Sequence, residues 1–307
     1  MVSSSVFGLL ALALAQQACG HGYIWRVTAD NTIYPGWDVA LDPMLSPPPA
    51  RIAFGGGIVG PIINISAAEM ACNFGGSPRP SAIAEVRAGS NVTFHWSHWL
   101  YSHKGPITAW MAPYTGPVSA VNPNDLSFFK IAEDTVDAAG VWANVRMMDQ
   151  TNRTWTATIP ADIKSGTYII RHEIVALHFS TGTVPGWEFT PVAAQFYMTC
   201  FNFRVTGGGD AEPSGVKFPG GYRADEKGMR FNVRNTTGGV VVPGEKYTPL
   251  GPAVYTSKYG VDLAEKPVTV VSPTGGGAEA DKSYWDAQQA FLETQGKIVS
   301  YFDSMGG

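Results

Sequence analysis

The chain has 307 residues, of which 45% are hydrophobic and 15% charged, with a formal net charge of -4 and a pI near 5.9. This weak acidity argues against a nucleic-acid partner, which would require a basic surface. The 35 glycines and 22 prolines indicate many turns and few long helices.

The first twenty residues have the pattern of a secretory signal peptide. An apolar run over residues 6–15 is too short to span a bilayer, although no Lys or Arg precedes it. Ala18 and Gly20 occupy the positions three and one before a cleavage site. Cleavage there would make His21 the first residue of a secreted, extracellular protein.

Several later features are consistent with secretion. Once Cys19 is removed with the leader, an even pair remains, and Cys72 and Cys200 suggest one disulfide in an oxidising compartment. Four N-x-S/T sequons are candidate glycosylation sites: Asn64, Asn91, Asn152 and Asn235. No later segment has the length and apolarity of a membrane span, and the polar C-terminus argues against a lipid anchor.

Short β-branched and aromatic stretches recur between turn signals along the mature chain. They are residues 22–27, 85–96, 105–112, 153–159, 166–177, 193–205 and 231–235. Within residues 91–96, Val92, Phe94 and Trp96 alternate with polar residues, as in a strand with one buried face. The pattern predicts an all-β fold: an immunoglobulin-like or fibronectin-like antiparallel β-sandwich with long surface loops over residues 21–256.

The strand pattern stops near Tyr255, and a C-terminal extension follows. Residues 257–307 are predicted to form a linker and a short helical tail. Five residues would share one apolar stripe of that helix: Tyr284, Ala287, Phe291, Ile298 and Tyr301. The helix either packs back on the domain or binds a partner.

The six histidines carry the chemical signal: His21, His95, His98, His103, His172 and His178. A first-residue His21 is special, because its α-amine and ring Nδ1 can chelate one metal ion. One further imidazole makes a set of three nitrogens, which suits Cu(II). By pattern alone that imidazole is any of the other five; His103 lies in a turn after a strand, where its ring can project into solvent and Gly105 lets another backbone approach.

An ordered series of motifs gives the chain a specific resemblance. The series is His21-Gly22-Tyr23, Tyr34-Pro35-Gly36, Met70-Ala71-Cys72-Asn73, Ser102-His103-Lys104-Gly105-Pro106, Gly166-Thr167-Tyr168, Arg171-His172-Glu173, Ala176-Leu177-His178, Ala194-Gln195-Phe196-Tyr197, Val205-Thr206-Gly207, Phe218-Pro219-Gly220 and Gly251-Pro252-Ala253-Val254-Tyr255. Over residues 21–256 the chain resembles the fungal lytic polysaccharide monooxygenases of auxiliary activity family nine, the former glycoside hydrolase family sixty-one.

The resemblance implies a site with one copper ion per chain. His21, through its amine and ring, and His103 would bind the copper, with Tyr197 in the axial position. Gln195 and His178 would be donors that position the oxidant, supported by Arg171 unless Arg171 simply pairs with Glu173. Four aromatic residues would stack on the substrate: Trp25, Tyr34, Trp37 and Tyr255.

The resemblance also implies the reaction and the partners. The enzyme would hydroxylate C1 or C4 of a sugar in cellulose or a related β-glucan, using O2 or H2O2 and an external electron donor. It would act as a secreted monomer without a membrane or nucleic-acid partner. The alternatives are a secreted copper-binding or carbohydrate-binding protein without cleavage activity and a β-sandwich glycosidase, which needs a carboxylate pair.

Three departures from the family pattern concern the surface around the site. The run His95-Trp96-Ser97-His98-Trp99 is unusual, and His95 or His98 would add a second metal site at the surface. The stretch between His178 and Gln195 is long, so the loop beside the copper is expected to differ. Trp37 also stands where the family commonly has tyrosine.

Overall fold

The computed structural model describes residues 21–56, 59–73, 78–182, 193–233, 236–237, 240–241, 246–259, 266–275 and 278–304. Within those residues the chain forms the following strands: β1 (Ile24–Ala29), β2 (Thr32–Pro35), β3 (Ala84–Arg87), β4 (Asn91–Trp96), β5 (Ile107–Tyr114), β6 (Phe129–Asp134), β7 (Thr154–Thr158), β8 (Gly166–Ala176), β9 (Gln195–Thr206), β10 (Thr236–Thr237), β11 (Val240–Val241) and β12 (Thr269–Val270). The helices are α1 (Ala143–Gln150) and α2 (Ala278–Ser304).

Two five-stranded sheets face each other. The first has the order β12-β2-β1-β4-β7 and the second the order β3-β9-β8-β5-β6, while β10 and β11 form a separate hairpin. The inner pairings are antiparallel, whereas β12 pairs with β2 and β3 pairs with β9 in parallel. This confirms the predicted all-β sandwich and adds two parallel edges to it.

The core lies between the sheets and continues behind the second sheet. The predicted alternation in β4 is confirmed, since Val92, Phe94 and Trp96 are buried and face the second sheet. The other face of the second sheet is covered by loops, which pack residues such as Trp142 and Phe218 against it. Strand β8 is therefore buried on both faces, which explains the consecutive apolar residues on either side of Arg171-His172-Glu173.

A disulfide joins a covering loop to β9. Cys72 and Cys200 are bonded, with their Cα atoms 5.2 Å apart and 128 positions between them in sequence. Closing so long a loop stabilises a fold by roughly 4–5 kcal/mol when the unfolded chain's lost entropy is counted. The link also holds the middle of β9, three residues after Tyr197.

Two predicted elements differ from the structure. Residues 231–233 form no strand, because they lie in a covering loop where Phe231 packs its ring 5.5 Å from that of Trp142. The C-terminal helix α2 spans 27 residues, and its buried face is offset from the predicted stripe. Tyr284 is buried, but Ala287 is exposed and Phe291 is half-buried, while the side chains of Ile298 and Tyr301 lie outside the description.

No helix in the described ranges has the length and apolarity needed to cross a membrane.

His172 lies in the core between the sheets and makes folding stability depend on pH. Its ring stacks on Phe94 with centroids 4.2 Å apart, and its Nε2 accepts a hydrogen bond of 3.0 Å from Trp96 Nε1. Burial, aided by the neighbouring charge of Arg171, lowers its pKa from 6.5 to about 3. Below pH 6.5 the unfolded chain binds a proton that the folded chain refuses, so stability falls as the pH falls toward 3.

The variant His172→Gln is expected to reduce this pH dependence while keeping an acceptor for Trp96. Between pH 6.5 and 4.5 the free energy of unfolding of the wild type should fall faster than that of the variant, by up to about 1.4 kcal/mol per pH unit. Denaturant unfolding at several pH values measures the difference, and pH 7.5 serves as the reference where both side chains are neutral. A constant difference between the two proteins across this range would contradict the prediction.

Candidate metal centre

The segment that begins at His21 is held against the end of β4 by main-chain contacts. Tyr23 N donates a hydrogen bond of 3.1 Å to Ser97 Oγ, and Ser97 N donates one of 2.8 Å to Tyr23 O. Between them, Gly22 lies so close to His98 that a Cβ atom would fall 1.8 Å from the His98 carbonyl oxygen. Only glycine permits this approach, and it fixes where His21 begins.

The turn that carries His103 is pinned to neighbouring elements in the same way. The His103 carbonyl accepts hydrogen bonds from Trp99 Nε1 at 3.1 Å and from Asn144 Nδ2 of α1 at 2.7 Å. A Cβ atom on Gly105 would lie 1.7 Å from the carbonyl oxygen of Val175 in β8. The turn is therefore built from backbone contacts and buried amides, which leave its position little freedom.

Strand β9 brings Tyr197 and Gln195 to the same place. The two residues are two positions apart and so lie on one face of the strand. Both are buried, and Tyr197 Oη donates a hydrogen bond of 2.7 Å to Gln195 Oε1. Burial raises the pKa of the Tyr197 phenol well above 10, so the hydroxyl keeps its proton and orients toward the amide.

These three elements place the predicted metal-binding side chains together. The ring centroids of His21 and His103 are 5.3 Å apart, and the Tyr197 ring lies 5.2 Å from His21 and 6.3 Å from His103. Trp99 packs edge-on against Tyr197 at 4.9 Å and forms the floor beneath the cluster. The cluster joins residues that are far apart in sequence.

The chemistry of the cluster suits a metal that prefers nitrogen. Burial lowers the pKa of His21 to about 4 and that of His103 well below 6.5, the latter also because His178 and His21 lie beside it. Both imidazoles are therefore neutral near neutral pH, the form that binds metal ions. His103 Nδ1 lies 3.1 Å from Ser102 Oγ, which leaves Nε2 for a metal.

The two imidazoles of the cluster are too few to hold a metal ion alone, so further ligands would have to come from other groups. Among the described residues, no group of three or more His, Cys, Asp or Glu side chains is placed to hold a metal ion. A metal between His21 and His103 would thus depend on the α-amine of His21 or on the Tyr197 phenol for further ligands. The residues present fit copper bound through two imidazoles and an amine.

His178 joins the cluster and Arg171 does not. The His178 ring is 3.8 Å from that of His103 and is 9% exposed, so it lies beside one of the candidate ligands. Arg171 instead pairs with Glu173 at 2.5 Å, with both side chains fully buried, and donates to the carbonyl oxygens of Met70 and Ala71. The expectation that Arg171 supports the copper network is wrong, because its guanidinium is used to hold the loop before Cys72.

The other two histidines before the turn do not form a second metal site with each other. His98 is buried, with 2% of its surface exposed, beneath the start of the chain. His95 lies in β4, and its Nε2 is 2.9 Å from Thr28 Oγ1 of β1. The predicted surface metal site is wrong in the described part of the chain, because the His98 ring is buried and the His95 ring is hydrogen-bonded to Thr28 on the neighbouring strand.

Two of the predicted substrate-stacking rings are packed against other elements. Tyr34 is 9% exposed and lies in the core, where its hydroxyl accepts a hydrogen bond of 3.2 Å from Glu85 N. Trp25 is half-buried, with Trp285 of α2 edge-on at 5.9 Å and the Arg26 guanidinium 4.4 Å from its ring. Tyr34 offers no open face to a sugar, so its assignment is wrong, whereas Trp25 stays a prediction with part of its surface packed against α2.

The remaining two lie in different surroundings. Trp37 is half-buried, and its Nε1 donates a hydrogen bond of 3.1 Å to Gly56 O. Tyr255 packs 5.9 Å from Phe129, and its hydroxyl donates to Asp162 at 2.9 Å. Asp162 lies against the residues that follow the end of β9, whereas Tyr197 is near its start, so Tyr255 is not beside the metal centre.

One exposed aromatic ring beside the cluster was not predicted from the sequence. Tyr101 is 45% exposed and lies two residues before His103, so their Cα atoms are within about 7 Å. Its hydroxyl donates a hydrogen bond to Asp149 of α1, which holds the ring in place. The signal available in the sequence was an aromatic residue inside the ligand-bearing turn itself.

The predicted glycosylation sites are on the surface where the structure describes them. Asn64, Asn91 and Asn152 are exposed, and Asn235 lies outside the described residues.

Comparison with known proteins decides the family. The sequence model of Auxiliary Activity family 9, formerly GH61, matches residues 21–240. The chain belongs to this family. It is therefore a member of the lytic polysaccharide monooxygenases, which are oxidoreductases.

Relatives in this family match most of the chain. It is 35% identical over 246 residues to AA9 family lytic polysaccharide monooxygenase A of Geotrichum candidum, covering 80% of this chain and 82% of that one. Identity to monooxygenase A of Gloeophyllum trabeum is 38% over 259 residues, covering 81% and 76%. A match to monooxygenase C of Geotrichum candidum covers 95% of this chain but 53% of that protein, at 32% identity.

Solved structures agree with the fold. The extended catalytic domain of H. jecorina LPMO9A superposes with a TM-score of 0.69 and 27% identity, covering 83% of this chain and 99% of that one. A cellulose-active polysaccharide monooxygenase from M. thermophila gives a TM-score of 0.62 and 26% identity, covering 76% and 99%.

Proposed function

We propose that this family 9 protein is a secreted, copper-dependent monooxygenase that cleaves cellulose or a related β-glucan by oxidation. The observation that carries the proposal is the convergence of His21, His103 and Tyr197, whose rings lie within 5.2–6.3 Å of one another. Both imidazoles are neutral, and the site is built on constrained backbone. Such preorganised nitrogens favour a single copper ion.

Each side chain has a distinct task in this proposal. His21 binds through its amine and ring, and His103 through its ring. Bound copper supplies one-electron chemistry with O2 or H2O2, driven by an external electron donor, for hydroxylation at C1 or C4 and scission of the glycosidic bond. Tyr197 would lie beside the bound copper and limit access to it, because its buried phenol is held by Gln195.

Gln195 and His178 act on the oxidant rather than on the metal. Gln195 is already oriented by the Tyr197 hydroxyl, so its amide nitrogen is set in a fixed direction. His178 lies against His103 at the edge of the cluster, where a ring nitrogen can donate to developing negative charge. Both are positioned before the substrate arrives, which keeps the reorganisation small.

The products made from cellulose test the proposal. Copper-loaded mature protein is incubated with cellulose and ascorbate, and the soluble oligosaccharides are analysed by mass spectrometry, with a reaction without ascorbate as control. Aldonic acids or 4-keto sugars that depend on ascorbate are expected. Simple reducing oligosaccharides would indicate a hydrolase instead, and tight copper binding without products would indicate a binding protein.

Tyr101 is proposed to stack on the sugar next to the copper. Its ring is exposed, and Asp149 holds it beside His103, so a sugar ring can pack on it at little entropic cost. The variant Tyr101→Ala should bind cellulose more weakly, by roughly 3- to 10-fold, since losing an aromatic contact costs about 0.5–1.5 kcal/mol. Its affinity for copper should not change.

A matched control exists on another part of the surface. Tyr259 is 58% exposed, and it follows Lys258, whose amide is bonded to Asp162 away from the centre. Tyr259→Ala should therefore adsorb to cellulose like the wild type in a pull-down assay. Equal adsorption of the Tyr101 and Tyr259 variants would exclude Tyr101 from the substrate face.

A further inference from the structure

The buried face of the C-terminal helix α2 is unexpectedly polar. Gln288 is 1% exposed and Gln295 is 2% exposed. A buried amide is costly unless it is hydrogen-bonded, so its partners indicate what the helix is built to contact. The two glutamines are seven residues apart, which places them on one face two turns from each other.

The first glutamine reaches the segment that carries His21. Tyr23 Oη donates a hydrogen bond of 2.9 Å to Asp38 Oδ2, and Gln288 Nε2 donates to the same oxygen. Gln288 Oε1 also lies 3.4 Å from Tyr23 Oη. Tyr23, Asp38 and Gln288 thus close a buried three-membered network, and Tyr23 is only two residues from His21.

The second glutamine reaches the other side of the same segment. Gln295 lies beside the buried His98 ring, and within the described part of the chain its Oε1 and the His98 Nε2 each make no hydrogen bond. The carbonyl of His98 is the group that Gly22 meets so closely. The helix therefore contacts the segment after His21 in two ways. It contacts Tyr23 directly, and it lies beside His98, whose carbonyl packs against Gly22.

Further contacts fasten α2 and the segment before it to the domain. Arg51 forms a buried ion pair of 2.6 Å with Asp42, and its Nη1 donates a hydrogen bond of 2.6 Å to Pro273 O. The ring of Tyr284 lies 5.3 Å from the Arg51 guanidinium. Upstream, β12 extends the first sheet beside β2. Without Pro273 and Tyr284 the buried Arg51–Asp42 ion pair would lose contacts that shield it from solvent, so the tail is an integral part of the fold.

We infer that α2 is a clamp that positions the N-terminal copper ligand, with Gln288 as its main positioning residue. The inference rests on the proposed copper site, because the clamp acts on the segment that presents the amine and ring of His21. Gln288 touches neither His21 nor the reacting atoms. It acts by fixing Tyr23 through Asp38, so that His21 is already in place when the metal binds.

The variant Gln288→Met tests the clamp, since methionine keeps the length of the side chain and removes both hydrogen-bonding groups. Gln289→Ala is the matched control, because Gln289 is exposed on the same helix and donates only to Glu293, at 3.1 Å. Copper affinity is measured by calorimetry, and the copper-loaded proteins are compared by electron paramagnetic resonance. Gln288→Met should bind copper about 10-fold more weakly, as for loss of a group that orients a ligand, and Gln289→Ala should match the wild type.

A second measurement separates the clamp from the proposed function. Hydrogen–deuterium exchange of the peptide over residues 21–28 is followed without metal, and Gln288→Met should exchange about 10-fold faster, since 1.4 kcal/mol of lost local stability is a factor of ten. Tyr23→Phe should cause the same loss, and the double variant should add little to it. If the wild type bound no copper, the proposed function would fail while the exchange result still tested the clamp.

Two results would overturn the inference. One is unchanged copper affinity and an unchanged spectrum in Gln288→Met. The other is an exchange rate over residues 21–28 that is the same in Gln288→Met and Gln289→Ala. A variant that unfolds is recognised by circular dichroism, and Tyr23→Phe then takes its place, because the loss of one hydroxyl leaves the helix packing intact.

Discussion

Replacing His103 with alanine is expected to abolish copper binding and polysaccharide oxidation together. The ring of His103 lies 5.3 Å from that of His21, and the described residues offer no cluster of other ligating side chains that could replace it. Losing one of two imidazoles should weaken copper binding by more than about 100-fold, beyond the effect seen for groups that only orient ligands. Calorimetric titration with Cu(II) and product analysis by mass spectrometry measure the two losses.

The variant His95→Ala is the control for this experiment. His95 lies on β4 and is bonded to Thr28, outside the cluster, so its removal should leave copper affinity and products unchanged. Circular dichroism and the melting temperature confirm that both variants fold. Oxidised products from the His103→Ala protein at the wild-type rate would refute the assignment of this residue as a ligand.

Adding one residue in front of His21 should have an effect of similar size. The extra peptide bond converts the α-amine into an amide, whose nitrogen lone pair is delocalised into the carbonyl and is a poor metal ligand at neutral pH. The cluster then retains two imidazoles and a protonated phenol, which is a poor copper site. We expect copper affinity to fall by more than about 100-fold, as for His103→Ala, and oxidation of cellulose to be lost.

Removal of the added residue provides an internal control. An extension that a protease cuts immediately before His21 should restore copper affinity in the same sample, since nothing else in the fold changes. Mass spectrometry of the intact protein shows which species is present at each step. Equal affinity before and after cleavage would show that the amine is not a ligand, even if both imidazoles are.

Much of the fold was predictable because several strands show alternating apolar and polar residues or runs of consecutive apolar residues. Strand β4 alternates because one face meets the core, and β8 carries apolar residues on both sides of its buried Arg171-His172-Glu173 because loops cover its second face. The short strands β2 and β12 were not predicted, since four and two residues carry too little periodicity. Strand β2 is completed by a hairpin with β1, whereas β12 depends on pairing with β2, which is distant in sequence.

The ligands were easier to predict than the substrate surface. The chain has only six histidines, so those in recognisable motifs are easy to find. The ordered motifs singled out His21, His103 and Tyr197, which the fold brings together. Whether an aromatic ring is exposed depends instead on what packs over it. Tyr34 is buried and Trp25 packs against α2, while Tyr101 is 45% exposed.

The buried face of the C-terminal helix α2 also depends on tertiary contacts that the sequence does not show. Its buried face was predicted from apolar spacing, but the surface beneath it holds Asp38, Tyr23 and His98. Glutamines match such a surface better than leucines would, so the buried stripe is offset from the apolar one. Only the tertiary contacts reveal this complementarity.

Gly22 follows His21 and Gly105 lies two residues after His103, the two proposed imidazole ligands, and at each glycine one backbone segment lies tightly against another. Any side chain introduced at either position would displace the neighbouring strand or turn, and the ligand with it. Libraries designed to broaden the substrates of this protein should therefore leave both positions unvaried. Diversity is better directed to Tyr101 and Asp149, where the surface has room to change without moving the ligands.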